Sequence, residues 1–204
     1  MTPRFFKIDR CSVIPGDWGD YGDILQHGMS MHSPRVDGKI ALERTGPFIP
    51  PITFPGIGTA IVTTSARNSL EQSGLSEFSF APVEKKHVVE LPWETWDLNA
   101  SEPEQYPETG EPEDYILLKP HNSKVADTLG DLWEIVVPQT ATIIRPTSIV
   151  ESYKDLKLDL GSWNGCDLVR GSGYGSMLFT ERARDWLLER WSEFVCFSQF
   201  PTAN

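Results

Sequence analysis

Apolar residues occur in short bursts separated by glycine, proline and acidic residues, and most of these bursts read at the period of a strand. Phe5-Phe6-Lys7-Ile8 predicts a first strand. Lys39-Ile-Ala-Leu-Glu43, Thr59-Ala-Ile-Val-Thr63, Glu77-Phe-Ser-Phe80 and His87-Val-Val-Glu-Leu91 predict further strands in the first half. Tyr115-Ile-Leu-Leu-Lys119, Leu132-Trp-Glu-Ile-Val-Val137 and Ala141-Thr-Ile-Ile-Arg145 predict strands in the second. Residues 12–39 hold Pro15, Gly16, Gly19, Gly22, Gly28, Pro34 and Gly38, and read as loop with short strands. Gly46-Pro47, Pro50-Pro51 and Pro55-Gly56 predict a stiff, extended connection, because proline fixes φ and lacks an amide donor.

Two segments carry helical signals. Ser65 to Ser73 predicts a short helix, with Thr63 or Thr64 as its cap and Gly74 as its stop. Near the C-terminus Ala183, Trp186, Leu187 and Trp191 fall at i, i+3, i+4 and i+8, a single apolar stripe expected to face a sheet and lie in the core.

These two helices belong to an internal repeat. Gly58-Thr-Ala-Ile-Val-Thr-Thr-Ser-Ala-Arg-Asn-Ser-Leu70 aligns with Gly175-Ser-Met-Leu-Phe-Thr-Glu-Arg-Ala-Arg-Asp-Trp-Leu187 at a constant offset of 117. Gly, Thr, Ala, Arg and Leu coincide at 58/175, 63/180, 66/183, 67/184 and 70/187, and Ser76-Glu77-Phe78 matches Ser192-Glu193-Phe194 after a one-residue adjustment. Each copy reads as glycine, strand, threonine cap, short helix and aromatic strand. The expected fold is α+β, mainly antiparallel sheet with a few short helices, built from two related strand-helix-strand units. The expected organisation is an N-terminal half over 1–98, an acidic loop or linker over 99–114, and a C-terminal half over 115–204, with one continuous domain as the alternative.

Charge changes the picture. The 204 residues hold 29 Asp and Glu against 18 Lys and Arg, a net charge of −11. Phosphate binding by nucleic-acid proteins needs clustered basic side chains, and here they are scattered, so nucleic acid is not expected as a partner. A negative surface suits a basic protein partner by long-range attraction. No apolar run approaches the roughly 18 residues of a membrane span, so no membrane partner is expected. The N-terminus lacks the apolar stretch of a secretory signal, and Cys11, Cys166 and Cys196 are an odd set at no metal-ligand spacing. Both features read as a cytoplasmic protein with reduced thiols.

Catalytic chemistry is not marked. The chain has no phosphate loop, dinucleotide fingerprint, His-Glu-x-x-His or nucleophile elbow, and Gly171-Ser-Gly-Tyr-Gly175 reads as a turn. His27 and His32 lie in a Met-containing loop, while His87 and His121 stand apart from them. Asp17, Asp20 and Asp23 repeat every third residue, unlike the alternate ligands of a calcium loop. No catalytic residue, metal or cofactor is therefore expected. Two acidic loops stand out instead. Gly16-Asp-Trp-Gly-Asp-Tyr-Gly-Asp23 offers Asp17, Asp20 and Asp23 with Trp18 and Tyr21, either as interface anchors or with Trp18 packed in the core. Residues 99–114 offer Glu102, Glu104, Glu108, Glu111, Glu113 and Asp114 around Tyr106, with too little apolar surface to order themselves.

Short motifs also carry a family resemblance. Cys166-Asp-Leu-Val-Arg170, Gly175-Ser-Met-Leu-Phe-Thr-Glu-Arg-Ala-Arg184 and Phe194-Val-Cys-Phe197 resemble the C-terminal end of myxobacterial-type immunity proteins of bacterial polymorphic toxin systems. Arg4-Phe-Phe-Lys-Ile-Asp9 and the stretch from Gly46-Pro-Phe48 to Leu70 resemble the related double-CXXCG immunity proteins, although this chain lacks the CxxC pairs. The resemblance implies a protein that binds a cognate toxin domain acting in the cytoplasm and blocks it by occlusion, with no enzymatic activity of its own. The alternative is a ligand-binding domain or an enzyme whose site follows no recognisable motif.

Overall fold

In the computed structural model, which describes residues 2–9, 13–14, 18–30, 35–56, 58–145 and 155–203, the chain is an α+β protein with mostly antiparallel sheet. The first elements are β1 (Phe5–Asp9), α1 (Asp20–His27), β2 (Arg35–Val36), β3 (Lys39–Gly46), β4 (Ile52–Gly56) and β5 (Thr59–Thr63). Then come α2 (Thr64–Glu71), β6 (Ser79–Pro82), β7 (Glu84–Glu90), α3 (Asp114–Leu117), α4 (Ser123–Thr128) and β8 (Leu132–Val136). The C-terminal elements are β9 (Gln139–Ile144), β10 (Lys157–Asp159), β11 (Leu168–Gly171), β12 (Met177–Thr180), α5 (Glu181–Trp191), β13 (Cys196–Phe200) and β14 (Thr202–Ala203). They form two compact units. The first comprises 1–10, 70–79 and 136–204, and the second 11–69 and 80–135.

The first unit is a seven-stranded sheet in the order β13-β1-β12-β11-β9-β10-β14. Its two outermost strands are separated in sequence by Pro201 alone, so the sheet must curl back on itself. Phe5, Ile143, Leu158, Val169, Leu178 and Phe200 fill the interior. Burial of such side chains stabilises by about 1.5–3 kcal/mol each.

The second unit closes in the same way from two sheets, β2-β3-β7 and β4-β5-β8-β6. Val83 alone separates β6 from β7. On the opposite side Met29 exchanges backbone hydrogen bonds with Glu43 of β3, while the Ser30 amide donates to the Pro55 carbonyl of β4 at 3.1 Å. The order is therefore β6, β8, β5, β4, residues 29–30, β3, β7.

This strand order matches that of the first unit, while β2, α1, α3 and α4 have no counterpart among its described residues. The pairs β4·β5 and β11·β12 are both antiparallel, and β3·β7 and β10·β14 are both parallel. The registers agree as well. Ile61, Val62 and Thr63 oppose Glu134, Trp133 and Leu132, while Leu178, Phe179 and Thr180 oppose Lys7, Phe6 and Phe5. At the matched helix starts Thr63 Oγ1 accepts from the Ala66 amide and Thr180 Oγ1 from the Ala183 amide, each at 3.3 Å. At the matched arginines the Arg67 guanidinium lies 4.0 Å from the Trp133 ring centre and that of Arg184 lies 4.0 Å from Phe6. The likeness of the two units thus extends from the strand-helix corner to the strand order, with β1 in the place in the first unit that β8 holds in the second.

Several expectations are corrected. The stretch 12–39 contains the helix α1, and the predicted strand at 115–119 is the end of α3. The proline-rich connection ends in β4, which accommodates Pro55. The α5 stripe is core only at Ala183 and Leu187. Trp186 and Trp191 are half-buried and meet edge to face, with Arg190 over Trp186. Helix α4, capped by the Asn122 side chain, carried no assigned signal. Gly28 ends α1 at φ +69°, and a Cβ there would stand 2.6 Å from both Arg44 Cβ and the Glu43 carbonyl oxygen.

Candidate protein-docking surface

The two units differ most at one connection. In the second unit residues 91–131 join β7 to β8, whereas the equivalent place in the first unit lies between β14 and β1, the two ends of the chain. This 41-residue insert holds ten acidic residues and two lysines, a net −8. The second unit as a whole has 18 acidic and 8 basic residues, and the first has 11 and 10. Without the insert the second unit would stand at −2, close to the −1 of the first. The negative charge follows the insert and not the duplicated scaffold.

Residues 97–114 form an ordered loop held by aromatic side chains of the second unit. The Trp18 indole Nε1 donates to the Ala100 carbonyl at 2.8 Å. The Tyr21 hydroxyl donates to the Gly110 carbonyl, and the Tyr115 hydroxyl to that of Gln105. Tyr21 also meets Tyr106 edge to face at 5.1 Å. Glu104 accepts from the Asp97 amide, and Thr109 bonds the Asp114 carboxylate. Both expected acidic segments are therefore brought together, through the side chains of α1 and its approach.

Trp18 is corrected from a surface anchor to a core residue. It is 2% exposed and packs in a cluster with Ile14, Leu25, Trp93 and Trp96. Asp20, Glu102, Glu104, Glu108 and Glu111 are exposed, while Tyr21, Asp23, Glu113 and Asp114 are half-buried. Asp17, like His32 and Cys11, lies outside the described residues. Tyr106 is 49% exposed, and Leu117 and Leu118 beyond it are 44% and 62% exposed. The two leucines were missed as surface residues because the run Tyr115 to Leu118 was read as a strand. Burial, followed by the neighbouring Tyr106 and Tyr21, pushes the Tyr115 hydroxyl well above the ordinary tyrosine range. Desolvation and then Glu102 raise that of Tyr106. Both hydroxyls stay neutral donors around neutral pH. Tyr106, Leu117 and Leu118 are thus exposed within a segment rich in carboxylates, and aromatic and apolar side chains beside charged ones are the residue types of protein interfaces.

No protein-family model and no curated protein sequence matches the chain.

The remaining candidates are structural in their contacts. His27 Nδ1 accepts from the Phe54 amide at 3.4 Å, and His87 Nε2 lies 3.1 and 2.9 Å from the Ile116 and Lys119 carbonyl oxygens. Cys166 is buried, and that burial raises its thiol pKa. Among the described residues no three His, Cys, Asp or Glu side chains are grouped to hold a metal ion, and no helix is long and apolar enough to cross a membrane. Asp167 is buried but fully engaged. It accepts from the Ser76 amide and hydroxyl, from Thr180 Oγ1 at 3.0 Å, and pairs with Arg182 at 3.4 Å. Arg44 is the unusual group. It is entirely buried, donates to the carbonyls of Thr45, Gln26 and Phe48, and has no carboxylate partner among the described residues. Burial lowers its pKa to about 9.

Proposed function

We propose that the protein is an immunity-type inhibitor that binds a basic toxin domain acting in the cytoplasm and blocks it by covering its working surface. The observation that carries this reading is the insert. The 41-residue connection from β7 to β8 accounts for most of the chain's net charge and exposes Tyr106, Leu117 and Leu118. Function on such folds concentrates in the loops that a rigid scaffold presents. Carboxylates at the rim would speed encounter with a cationic protein, and the apolar side chains would hold it. Occlusion needs complementary area and no catalytic group, so the protein is read as a binder and not an enzyme.

The test is co-purification with a toxin domain encoded beside this reading frame, followed by rate measurements. Reversal of Glu102, Glu104 and Glu108 to Lys should slow association at least tenfold at low salt and flatten its salt dependence. Leu118→Ala should act on dissociation. A toxin complex indifferent to both sets of changes would place the interface elsewhere and refute the reading.

A further inference from the structure

We propose a self-modification site in the first unit: the turn at Asn164-Gly165 brings the Gly165 amide onto the Asn164 side chain, and the asparagine converts to aspartate and isoaspartate. The pair lies in the turn that leads into β11, and both residues are exposed. Of the chain's five asparagines, Asn164 alone precedes a glycine.

The geometry favours the attack in three ways. Asn164 Oδ1 accepts from the Cys166 amide at 3.1 Å, an Asx turn that folds the side chain back along its own main chain and brings Cγ toward the intervening Gly165 nitrogen. The same bond aims an N–H donor at the oxygen that gains negative charge when Cγ is attacked, at the distance an oxyanion donor takes. Gly165 has no side chain, and nothing lies within 4 Å of where its Cβ would stand, so the approach to its nitrogen is open. Among the described residues neither the Gly165 amide nor Asn164 Nδ2 has a hydrogen-bond partner, so no bond has to break before the ring closes.

The reaction needs only water. The Gly165 nitrogen gives its proton to solvent hydroxide and bonds to Asn164 Cγ. The Cγ–Nδ2 bond breaks, Nδ2 takes a proton from water, and ammonia leaves. Water then opens the cyclic imide at one of its two C–N bonds. Opening of the new bond at Cγ restores the main chain and gives aspartate. Opening of the original peptide bond leaves the chain running through Cβ and gives isoaspartate. Both products add a negative charge, but their consequences differ. Aspartate keeps the acceptor for the Cys166 amide. Isoaspartate lengthens the main chain by a methylene within a turn that is pinned on both sides. Trp163 Nε1 donates to the Cys166 carbonyl at 3.0 Å, and its ring meets Phe5 edge to face at 5.1 Å. Asp167, just beyond, ties Ser76, Thr180 and Arg182. Isoaspartate therefore loosens the first unit, and aspartate does not.

The experiment incubates the full chain at mildly alkaline pH, separates the more acidic products by ion exchange and locates each by peptide mapping with mass spectrometry. Asn164 should convert at least about tenfold faster than Asn68, Asn99 and Asn122, at a rate that rises with pH. It should convert at least as fast in the folded chain as in the same chain unfolded in urea, because the turn and the Cys166 donor are present only in the fold. Asn164→Asp should unfold at the same urea concentration as wild type, and the isolated isoaspartyl form at a lower one. Conversion of another asparagine ahead of Asn164, or slower conversion folded than unfolded, would overturn the site. An isoaspartyl form as stable as Asn164→Asp would overturn its structural consequence. None of these outcomes depends on toxin binding.

Discussion

Thr63 and Thr180 occupy the same place in the two copies, so one substitution made at both separates capping from everything else the hydroxyl does. Thr63 Oγ1 accepts from the Ala66 amide, and its loss in Thr63→Ala should destabilise by about 1 kcal/mol, as for other N-caps. Thr180 Oγ1 caps Ala183 in the same geometry and also donates to Asp167 Oδ1 at 3.0 Å. Asp167 is 6% exposed and holds the segment around Ser76, so its lost bond is one to a buried charged group. Such a bond adds about 1.5–3 kcal/mol, which puts Thr180→Ala near 3 kcal/mol in total. Urea unfolding followed by tryptophan fluorescence measures both, with Thr→Ser at each site as the control that keeps the oxygen. In an Asp167→Asn background the excess at Thr180 should shrink, because the acceptor's charge is gone. Equal losses at Thr63 and Thr180, or an excess that survives in the Asp167→Asn background, would refute the argument.

Two further outcomes are expected. Arg35 makes a bidentate pair with the buried Glu134 carboxylate at 2.7 and 3.0 Å, so Arg35→Met should destabilise by about 2 kcal/mol, a value reduced for Arg35's own exposure, and Glu134→Gln in the same chain should recover part of it in urea unfolding. Burial of Arg44 lowers its pKa in the folded state to about 9, well below the ordinary arginine range, which penalises the charged form in the fold; that penalty is complete below about pH 9 and relaxes as pH rises above it, so the stability difference between wild type and Arg44→Met should move in favour of wild type between pH 8 and about 11, and a difference flat across that range would contradict the assignment.

The strand-helix corner was legible in sequence because its roles are not interchangeable. A threonine must cap, an alanine must face the sheet closely, and the arginines at 67 and 184 must each lie over an aromatic ring of the neighbouring strand. Elsewhere many apolar residues serve equally, and the copies have drifted beyond recognition. Strand pairing was not legible at all, because no local pattern shows that Phe6 neighbours Phe179, more than 170 residues away. Helix α1 was hidden by Gly22 and its acidic first turn, which read as loop. Tyr115 to Leu118 was too short for periodicity to separate helix from strand. The acidic loops were found by composition, which left Trp18 open between anchor and core; it lies in the core, because an indole with its N–H on a carbonyl can be buried at no penalty for its polar end.

The comparison between copies also bears on which features were selected for binding and which for folding. Matched features, such as the caps, the arginines over rings and the closing strand pairs, exist in both units and are explained by the demands of a curled sheet. Unmatched features need another cause. The insert is one of them: three aromatic hydroxyl or indole bonds hold its acidic loop against the rest of the second unit. Ordering a loop so poor in apolar residues opposes its conformational entropy, roughly 1–2 kcal/mol per residue of backbone. A solubilising segment would gain nothing from that order, because disordered carboxylates solubilise as well. A surface that must present its carboxylates and Tyr106 in fixed positions to a partner would gain directly, since the entropy is lost before the encounter and not during it.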